Sequence, residues 1–395
     1  MKWTNYRLGD LIEIKHGYAF SGTYITQEDN GIVLVTPGNF RIGGGFQEEK
    51  CKFFNGDVPE EYILRPGDLI VTMTDLSKNT DTLGYSALVP KSSRTYLHNQ
   101  RIGLVKMKTD CVDYKFLYWL MRTHTYQRTI ANSATGATVK HTSPTKIYEY
   151  QFNAPEKNVQ KKIAGILSAY DDLIENNQKQ IKLLEEAAMR LYKEWFVKLR
   201  FPGHENTKIV DGVPEGWERN KLIEIADIQY GFAFDSSKFN ILKKGTPIIR
   251  IRNIPSGNTS DYTTENADEQ YLAYNGDIIV GMDGEFHINT WAGDTAYLVQ
   301  RTCRIKPKNT IMKGYLLQAI YEPIKYFEKT ITGATVAHLG KKHIDTITLL
   351  TAPEKYYLPF QYLFDKRQIL LKQNVLLQEA RDKLLPKLMS GEIEV

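Results

Sequence analysis

The sequence predicts an α+β protein of two similar globular domains, each of mixed helix and strand content and each followed by a long helix. Three observations predict this fold. The heptapeptide TGATVKH at residues 135–141 recurs as TGATVAH at residues 332–338. Each half contains short β-branched runs bounded by turn residues, which are typical of strands. Each half also ends in a stretch whose apolar residues recur every seven positions, which is typical of a coiled coil.

The repetition covers most of the chain. The matching pairs are GYAF at 17–20 with GFAF at 231–234, GDLIVTM at 67–73 with GDIIVGM at 276–282, QR at 100–101 with QR at 300–301, and APEK at 154–157 with APEK at 352–355. The separation shrinks along the chain, so the first copy carries a few extra loop residues. Because the period far exceeds the roughly 20–50 residues of a solenoid repeat, the pattern indicates a duplicated domain.

Composition sets wide bounds on function. The 395 residues carry a formal net charge of +5, with 42% hydrophobic and 25% charged residues, as in ordinary globular proteins. No apolar run approaches the roughly 18 residues of a membrane span, and MKWTNYRLGD lacks the apolar core of a signal peptide. The three cysteines are scattered, so neither a disulfide framework nor a metal site is predicted. We expect a cytoplasmic protein without a membrane partner, and its weak positive charge permits a polyanionic partner without requiring one.

Within each half the predicted elements follow one order. A short apolar stretch leads to the Gly-aromatic-Ala-Phe motif, and β-rich runs such as GIVLVTPGNF and TPIIRIRNI follow. A helix is predicted over residues 114–128, with a counterpart over residues 315–329 in which Pro323 is expected to kink or split the helix. The repeated TGAT loop comes next, where Gly136 and Gly333 are placed to end these helices.

The two long helices are predicted to pair as an antiparallel coiled coil, which gives the halves a pseudo-two-fold relation. The seam predicted for the first helix is Ile163, Leu167, Tyr170, Ile174, Asn177, Ile181, Leu184 and Leu191. The stripe predicted for the second is Leu363, Leu370, Leu377 and Leu384, flanked by Phe360, Phe364, Leu371 and Leu385, with Asn374 matching Asn177. A buried Asn pair can fix register at some cost in stability. The alternative is that each stripe packs only on its own globular domain.

These patterns divide the chain into five segments. We expect a first globular domain at residues 1–156, a long central helix at 157–200, a linker at 201–216, a second globular domain at 217–355 and a C-terminal long helix at 356–395. The linker is predicted from its two prolines and three glycines, because these residues interrupt helices and strands.

Four further motifs are distinctive. They are KLRFPGH at residues 198–204, GVPEGWE at 212–218, LLPKLMSGEIEV at 384–395 and the duplicated opening from a Trp to Gly-aromatic-Ala-Phe. On these motifs the chain resembles the specificity subunit of a type I restriction–modification system. The resemblance covers nearly the whole chain, and it implies that each globular half is a target-recognition domain that reads one half of a bipartite site in double-stranded DNA.

The resemblance also implies partners. The helices would set the spacer between half-sites and recruit two modification (methyltransferase) subunits, and two restriction subunits would add ATP-dependent translocation and cleavage. The chain itself would be non-catalytic and need no cofactor. Its residues agree, because the sequence has neither a P-loop nor the Asn/Asp-Pro-Pro-aromatic motif of amino-methyltransferases. Asp75, Asp81 and Asp283 are interpreted as turn and cap residues, since no spaced Lys or His completes a metal or nuclease site around them.

Two clusters in each half carry residue types that contact DNA. Arg reads guanine, Asn and Gln read adenine, and Lys, Ser and Thr mostly hold phosphates. The candidates in the first half are Asn39, Arg41, Lys140, His141, Thr142 and Ser143, and those in the second are Arg250, Arg252, Asn253, Lys341, Lys342 and His343. Residues that both halves share, such as Gly17 and Gly136, are expected to maintain the fold, whereas divergent neighbours are expected to read different half-sites.

Two other hypotheses stay open at this stage. The chain could serve a related system whose partner fuses methylation and cleavage in one polypeptide. It could instead be a pseudo-symmetric coiled-coil scaffold that joins two protein partners without DNA, which the weak net basicity favours.

Overall fold

The computed structural model describes residues 2–77, 80–331 and 337–395, which form two compact units. Unit 1 comprises Met1–Asp171 with Ala380–Val395, and unit 2 comprises Asp172–Glu379. Each unit therefore contains one globular domain together with segments of both long helices.

Unit 1 contains thirteen described strands and four short helices before the first long helix begins. The strands are β1 (Thr4–Arg7), β2 (Ile12–His16), β3 (Ile25–Thr26), β4 (Ile32–Val35), β5 (Lys52–Phe54), β6 (Ile63–Leu64), β7 (Leu69–Thr72), β8 (Thr74–Asp75), β9 (Ser86–Leu88), β10 (Thr95–His98), β11 (Ile102–Met107), β12 (Lys140–His141) and β13 (Gln151–Ala154). The helices are α1 (Leu8–Leu11), α2 (Tyr114–Leu120), α3 (His124–Asn132), α4 (Pro144–Tyr148) and the long α5 (Lys157–Tyr192).

The domain of unit 1 is built on two sheets. One has the order β2-β11-β7-β9 and is antiparallel throughout, and the other has the order β3-β5-β4-β10-β6, in which β4 and β10 run parallel. Successive side chains of a strand point to opposite faces. Leu69 and Val71 accordingly join one core with the helices, and Ile70 joins a second core with β4 and β10. Burial on both faces explains the unbroken apolar run of β7.

Unit 2 repeats this arrangement after a short hairpin. Its strands are β14 (Ile209–Val210), β15 (Val213–Pro214), β16 (Glu218–Lys221), β17 (Ala226–Tyr230), β18 (Phe239–Asn240), β19 (Thr246–Ile249), β20 (Tyr262–Thr263), β21 (Leu272–Ala273), β22 (Ile278–Gly281), β23 (Ile288–Thr290), β24 (Ala296–Leu298), β25 (Thr302–Pro307) and β26 (Thr348–Thr351). Its helices are α6 (Leu222–Ile225), α7 (Lys313–Ala319), α8 (Tyr321–Thr330), α9 (Lys341–Ile344) and the long α10 (Leu358–Ser390), which ends in unit 1.

The sheets of unit 2 match those of unit 1 strand for strand. Their orders are β17-β25-β22-β23 and β18-β20-β19-β24-β21, and β16 pairs with β26 as β1 pairs with β13. The parallel pair recurs as well, between β19 and β24. The prediction of two similar α+β domains is confirmed.

The single helix predicted over 114–128 is wrong, because α2 and α3 are separate helices, whereas the helix predicted over 315–329 is split into α7 and α8, as expected. In the first copy α2 ends before Thr123, whose hydroxyl accepts a hydrogen bond from the Tyr126 amide at 3.3 Å and starts α3. In the second copy the break falls at Ile320, and Pro323 lies in the first turn of α8, where a missing amide hydrogen costs little. The first copy breaks without a proline.

Gly136 does not end α3 as predicted. The C-cap residue is Ser133, and Gly136 forms part of the loop that follows, with φ of +97°. Its counterpart Gly333 lies outside the described residues.

The residues predicted for the α5 seam are buried or half-buried. Ile163, Leu167, Ile174, Asn177 and Ile181 are buried. Half-buried positions complete the repeat at Tyr170, Leu184 and Leu191.

The stripe predicted for α10 is displaced from the real seam. Leu363, Leu370, Leu377 and Leu384 are half-buried flanking residues. The buried residues of α10 are Phe360, Phe364, Arg367, Gln368, Asn374, Val375, Leu385 and Leu388, and Phe360, Arg367, Asn374 and Leu388 lie in one series with seven-residue spacing. The cause is that Arg367, Asn374 and the half-buried Arg381 occupy seam positions. A seam predicted only from apolar residues therefore falls on the leucines next to these polar seam positions.

Within each unit the helix segments pair antiparallel, as predicted. In unit 2 the Asn177 amide donates to Asn374 Oδ1 at 3.0 Å, and Glu185 accepts from Arg367 at 2.7 Å, so rising numbers on α5 meet falling numbers on α10. In unit 1 Asp171 meets Arg381. The alternative, in which each stripe packs only on its own domain, is wrong, because seam side chains of the two helices bond to each other.

The predicted linker at residues 201–216 lies within unit 2, where its first residues pack against Trp217 and Tyr356. The Phe201 ring lies 4.6 Å from that of Trp217 and 5.4 Å from that of Tyr356, and the Tyr356 hydroxyl donates to the Pro202 carbonyl at 3.2 Å. Phe201 is buried. The RFPGH and VPEGW motifs therefore form one aromatic cluster at the end of the first long helix.

Candidate nucleic-acid interface

The sequence motifs that occur twice converge on one loop junction in each domain. We use this name for the meeting point of residues 17–20, 73–75, 99–101 and 135–142 in unit 1. The Tyr18 amide donates to the His98 carbonyl at 2.8 Å, and the Gln100 amide donates to the Tyr18 carbonyl at 2.9 Å. Met73 then donates to the Arg101 carbonyl at 3.0 Å. The Thr142 amide donates to the Met73 carbonyl at 3.0 Å, so four segments distant in sequence are held by backbone hydrogen bonds.

The second domain repeats these bonds. Phe232 donates to the Leu298 carbonyl at 2.9 Å, Gln300 donates to the Phe232 carbonyl at 2.7 Å, and Met282 donates to the Arg301 carbonyl at 2.9 Å. The described loop junction of unit 2 comprises residues 231–234, 282–284, 299–301 and 337–339. The duplication of the motifs follows from this geometry, because both domains need the same bonds to close the junction.

The shared glycine of the Gly-aromatic-Ala-Phe motif is fixed by a close backbone approach. A Cβ atom at Gly17 would lie 2.3 Å from the His98 carbonyl oxygen, and one at Gly231 would lie 2.2 Å from the Val299 carbonyl oxygen. Both distances are far shorter than van der Waals contact, so only glycine fits.

The TGAT loop of unit 1 closes on itself. Thr135 and His141 exchange backbone hydrogen bonds at 3.0 and 2.9 Å, and β12 pairs Lys140 with Asp75 and His141 with Thr74. Gly136 is required there, since a Cβ atom would lie 2.1 Å from the Val139 carbonyl oxygen. In unit 2 the residues 332–336 lie outside the described residues, and His338 bridges Asp283 as His141 bridges Thr74.

Asp75 acts as a turn residue, as interpreted from the sequence. Its buried carboxylate accepts from the amides of Ser77 and Thr82, both at 2.6 Å. Burial alone would raise the pKa of Asp75, but these hydrogen bonds outweigh it and lower the pKa. The carboxylate therefore stays ionised and holds the loop that follows β8.

Asn39 and Asn253 have structural roles. The Asn39 side chain is fully buried, with Oδ1 accepting from the Thr36 amide at 2.9 Å, and Asn253 Oδ1 accepts from the Arg250 amide at 2.8 Å. Both cap the same 3₁₀ turn in the two domains. Their amides are used internally, which corrects the expectation that these residues contact bases.

The other DNA-contact candidates of unit 1 differ in whether their side chains already have a hydrogen-bond or ion-pair partner. The side chains of Arg41, Lys140 and His141 make no hydrogen bond or ion pair with any described residue, and His141 is exposed. Ser143 instead caps α4. The hydroxyl of Thr142 is buried without a hydrogen-bond partner among the described residues.

In unit 2 the lysines are the freest candidates. Lys341 and Lys342 are exposed in α9. Arg252 is paired with buried Asp261 at 2.6 Å, and Arg250 lies over the Phe239 ring at 5.6 Å. His343 accepts from the Gly340 amide at 3.0 Å, and burial together with Lys342 lowers its pKa.

Two arginines at the junctions were missed from the sequence. Arg101 and Arg301 follow the shared glutamines and are exposed. The repeated Gln-Arg pair was the signal, but shared residues were assigned to the fold. The backbone carbonyl of each arginine does serve the fold, because it accepts from Met73 or Met282.

Each domain is also held to its helix pair by a polar contact, which we call its seat. The unit 1 seat consists of Arg122, Asp171 and Arg381. The Arg122 side chain is 3% exposed and lies 2.5 Å from one Asp171 oxygen, and Arg381 lies 2.5 Å from the other. Burial would raise the pKa of Asp171, but the two guanidinium groups outweigh it and lower the pKa.

The unit 2 seat consists of Glu185, Asn289, Thr290, Arg367 and Gln368. Arg367 donates to the Thr290 hydroxyl at 2.6 Å and to the Asn289 amide oxygen at 2.7 Å. Gln368 accepts from Thr290 and donates to the Trp291 carbonyl, both at 2.7 Å. Glu185, which is 47% exposed, supplies the carboxylate.

The described residues contain no cluster of three or more His, Cys, Asp or Glu side chains arranged to hold a metal ion. No helix within residues 2–77, 80–331 and 337–395 is long and apolar enough to cross a membrane.

The two domains have the same sheet orders and the same backbone bonds at their loop junctions, and each unit contains segments of both long helices. The chain belongs to the type I restriction modification DNA specificity domain family, whose family model matches residues 1–186 and 214–353. The resemblance found in the sequence is confirmed.

Named relatives agree. The chain is 27% identical over 331 residues to the MjaIX specificity subunit of Methanocaldococcus jannaschii, covering 79% of this chain and 76% of the relative. It is 22% identical to the HindI specificity subunit of Haemophilus influenzae, with 99% of both chains covered. The crystal structure of an S subunit from M. genitalium has the same fold, with a TM-score of 0.58 and 17% identity over 98% of this chain and 96% of that one.

Proposed function

We propose that this chain reads a bipartite site in double-stranded DNA, with one half-site read by each domain, and that it catalyses no reaction itself. The observation that carries the proposal is the loop junction, which has the same backbone bonds in both domains but different side chains around them. A common frame with divergent side chains is what two readers of different half-sites require.

The proposed target-recognition domains are residues 1–156 and 217–355, with a linker at 201–216 between the central helix at 157–200 and the second domain. The proposed DNA contacts are Arg41, Lys140, His141 and Arg101 in the first domain. In the second they are Arg250, Arg252, Lys341, Lys342 and Arg301. Arg101, Lys341 and Lys342 are exposed cations without a partner among the described residues, which suits them to neutralise phosphates.

We assign the spacer to the long helix at 157–200 and the C-terminal long helix at 356–395. The Asn177–Asn374 pair supports this role, because an amide pair in an apolar seam penalises other registers. The spacing of the two seats along the first long helix also supports the spacer role. Asp171 of the unit 1 seat and Glu185 of the unit 2 seat are fourteen positions, or two heptads, apart.

The helices are also proposed to dock two modification subunits, with two restriction subunits completing the complex. Tyr362, Ile369 and Leu376 support this proposal, since they repeat every seven residues along α10 and are 53–59% exposed. Large apolar side chains in a row on a helix surface are typical of a protein interface.

The salt dependence of DNA binding tests the reading role. Each phosphate contact that is removed should lower the slope of log affinity against log salt by about one. In the complex with its modification subunits, Arg101→Ala should lower this slope, whereas Lys91→Ala should leave it unchanged. Lys91 is equally cationic and exposed, but it precedes β10, whereas Arg101 follows it. Equal slopes for both variants and the wild type would contradict the proposal.

Lengthening the helices tests the spacer. Seven residues inserted after Ile181 and seven after Leu370 would extend both helices by about 10 Å while keeping the helical faces aligned. Methylation mapping should then show both half-sites unchanged and a spacer up to about 3 base pairs longer, at 3.4 Å per pair. Inserts of two residues are the control and should weaken assembly. An active seven-residue variant that methylates only the original spacing would refute the spacer role.

A further inference from the structure

The loop junction of unit 2 contains a side-chain cluster that unit 1 lacks. Asp283 Oδ1 lies 2.5 Å from His338 Nδ1, and Asp283 Oδ2 lies 3.3 Å from Arg301 Nε. Arg301 Nη1 also donates to Asp283 Oδ1 at 3.4 Å. The sequence hid this cluster, because 55 positions separate Asp283 from His338.

The bonding pattern determines the role of each group. An ionised carboxylate only accepts, so His338 Nδ1 must carry a hydrogen and donate it to Asp283. Nδ1 then cannot accept from Arg301, and the 3.2 Å approach of Arg301 Nη1 to Nδ1 is a packing contact. Asp283 is therefore the group that orients both Arg301 and His338, and no described residue accepts from Arg301 Nη2.

The Arg301 backbone is equally constrained. Its φ is +74°, a left-handed conformation that is uncommon for a residue other than glycine. The Met282 amide bond to the Arg301 carbonyl holds it there. Side chain and backbone together fix the planar guanidinium at an exposed position, with the Arg301 side chain 48% exposed.

The first domain offers a direct contrast. Arg101 makes the same backbone bond to Met73, but Thr74 stands where the second domain has Asp283. Thr74 has no carboxylate, and the Arg101 side chain has no bond to any described residue. An arginine side chain without internal bonds is suited to contact phosphates. A guanidinium held in one orientation can instead match the two acceptors, O6 and N7, on the major-groove edge of guanine.

We propose that Arg301 is a base-reading residue of the second domain, recognising a guanine of its half-site, and that Asp283 and His338 are the positioning residues that make this reading specific. The inference rests on the proposed function and adds the residue and the base class. Arg301 uses Nη2 and its remaining Nη1 hydrogen for the base, while Asp283 holds the opposite side of the guanidinium.

The test compares two variants in the complex with modification subunits. The probes are a duplex with the methylated site and a series in which each base pair of the second half-site is changed singly. Arg301→Lys keeps the charge but removes the fork, so it should lose about 5- to 100-fold of discrimination at one G·C pair. Asp283→Thr introduces the residue of the first domain and should lose discrimination at that same pair. Affinity for random duplex should stay unchanged in both.

The matched control is Thr74→Asp, which should leave the second half-site unaffected. Discrimination retained at every base pair by Arg301→Lys would overturn the inference, as would an equal loss of affinity for specific and random duplexes. These outcomes differ from a failure of the proposed function, in which the wild-type complex itself would prefer no sequence. Normal binding of random duplex by each variant shows that it is folded.

Discussion

The two seats attach the same fold to helices of one chain through different polar chemistry. In unit 1 the buried Arg122 depends on one carboxylate, Asp171, which it shares with Arg381. In unit 2 Arg367 and Gln368 are satisfied mainly by the neutral groups of Asn289, Thr290 and Trp291. The difference shows that the fold and the backbone bonds of the loop junction are duplicated, while the attachment to the helices is free to diverge.

The largest expected effect is at the charged seat. Asp171→Asn removes the carboxylate and leaves Arg122 buried without a counterion, which should cost about 3 kcal/mol of unfolding free energy in unit 1. Chemical denaturation with hydrogen exchange of β9 and α2 measures this. Glu185→Gln is the control, and because Glu185 is half-exposed its loss should cost less than about 1 kcal/mol. Equal costs would show that the two seats do not differ as described.

The neutral seat of unit 2 is tested by a different substitution, Gln368→Leu, for which we expect a smaller loss of unfolding free energy. Gln368→Leu removes the acceptor of the Thr290 hydroxyl hydrogen and one of the two donors to the Trp291 carbonyl, which should cost about 2 kcal/mol in unit 2. The same denaturation measurement applies. A cost confined to unit 1 amides would contradict the assignment of Gln368.

Low pH is expected to weaken the charged seat of unit 1 and to leave the neutral seat of unit 2 unchanged. The pKa of Asp171 is lowered in the folded chain, so its contribution is present above the ordinary carboxylate pKa and is lost as pH falls through the folded value. The stability advantage of the wild type over Asp171→Asn should therefore be full near neutral pH and shrink below about pH 4. The deficit of Gln368→Leu should stay constant over that range. A constant Asp171 difference down to low pH would refute the ionic account.

The smallest effect is expected where the helices meet. Asn177→Leu alone strands the Asn374 amide in the seam and should cost about 1–2 kcal/mol. Replacing both with Leu should restore that stability and allow other registers. A double-mutant cycle measures the coupling, and additive costs would show that the amide bond is absent in solution.

Much of this organisation follows from sequence alone. The duplication predicts two like domains, and the α5 period predicts its seam, because strong periodicity reports burial directly. The α10 seam was displaced by one position because its arginines and asparagine are buried through partners distant in sequence. Asn39 and Asn253 were predicted to contact bases because their residue type suits adenine. The sequence does not reveal that each caps a turn by accepting from the amide three positions earlier. Arg301 was missed because Asp283 and His338 meet only in the folded chain.

The most direct test of the central claim, that two like domains read DNA separately from one helix pair, is an exchange of residues 1–156 for the first domain of another family member. Asp171 and Arg381 remain in place, so an incoming domain with an arginine at the position of Arg122 keeps the seat. Methylation mapping of the assembled complex should show one half-site changed, with the other half-site and the spacer retained. A change in both half-sites, or in neither, would contradict the account.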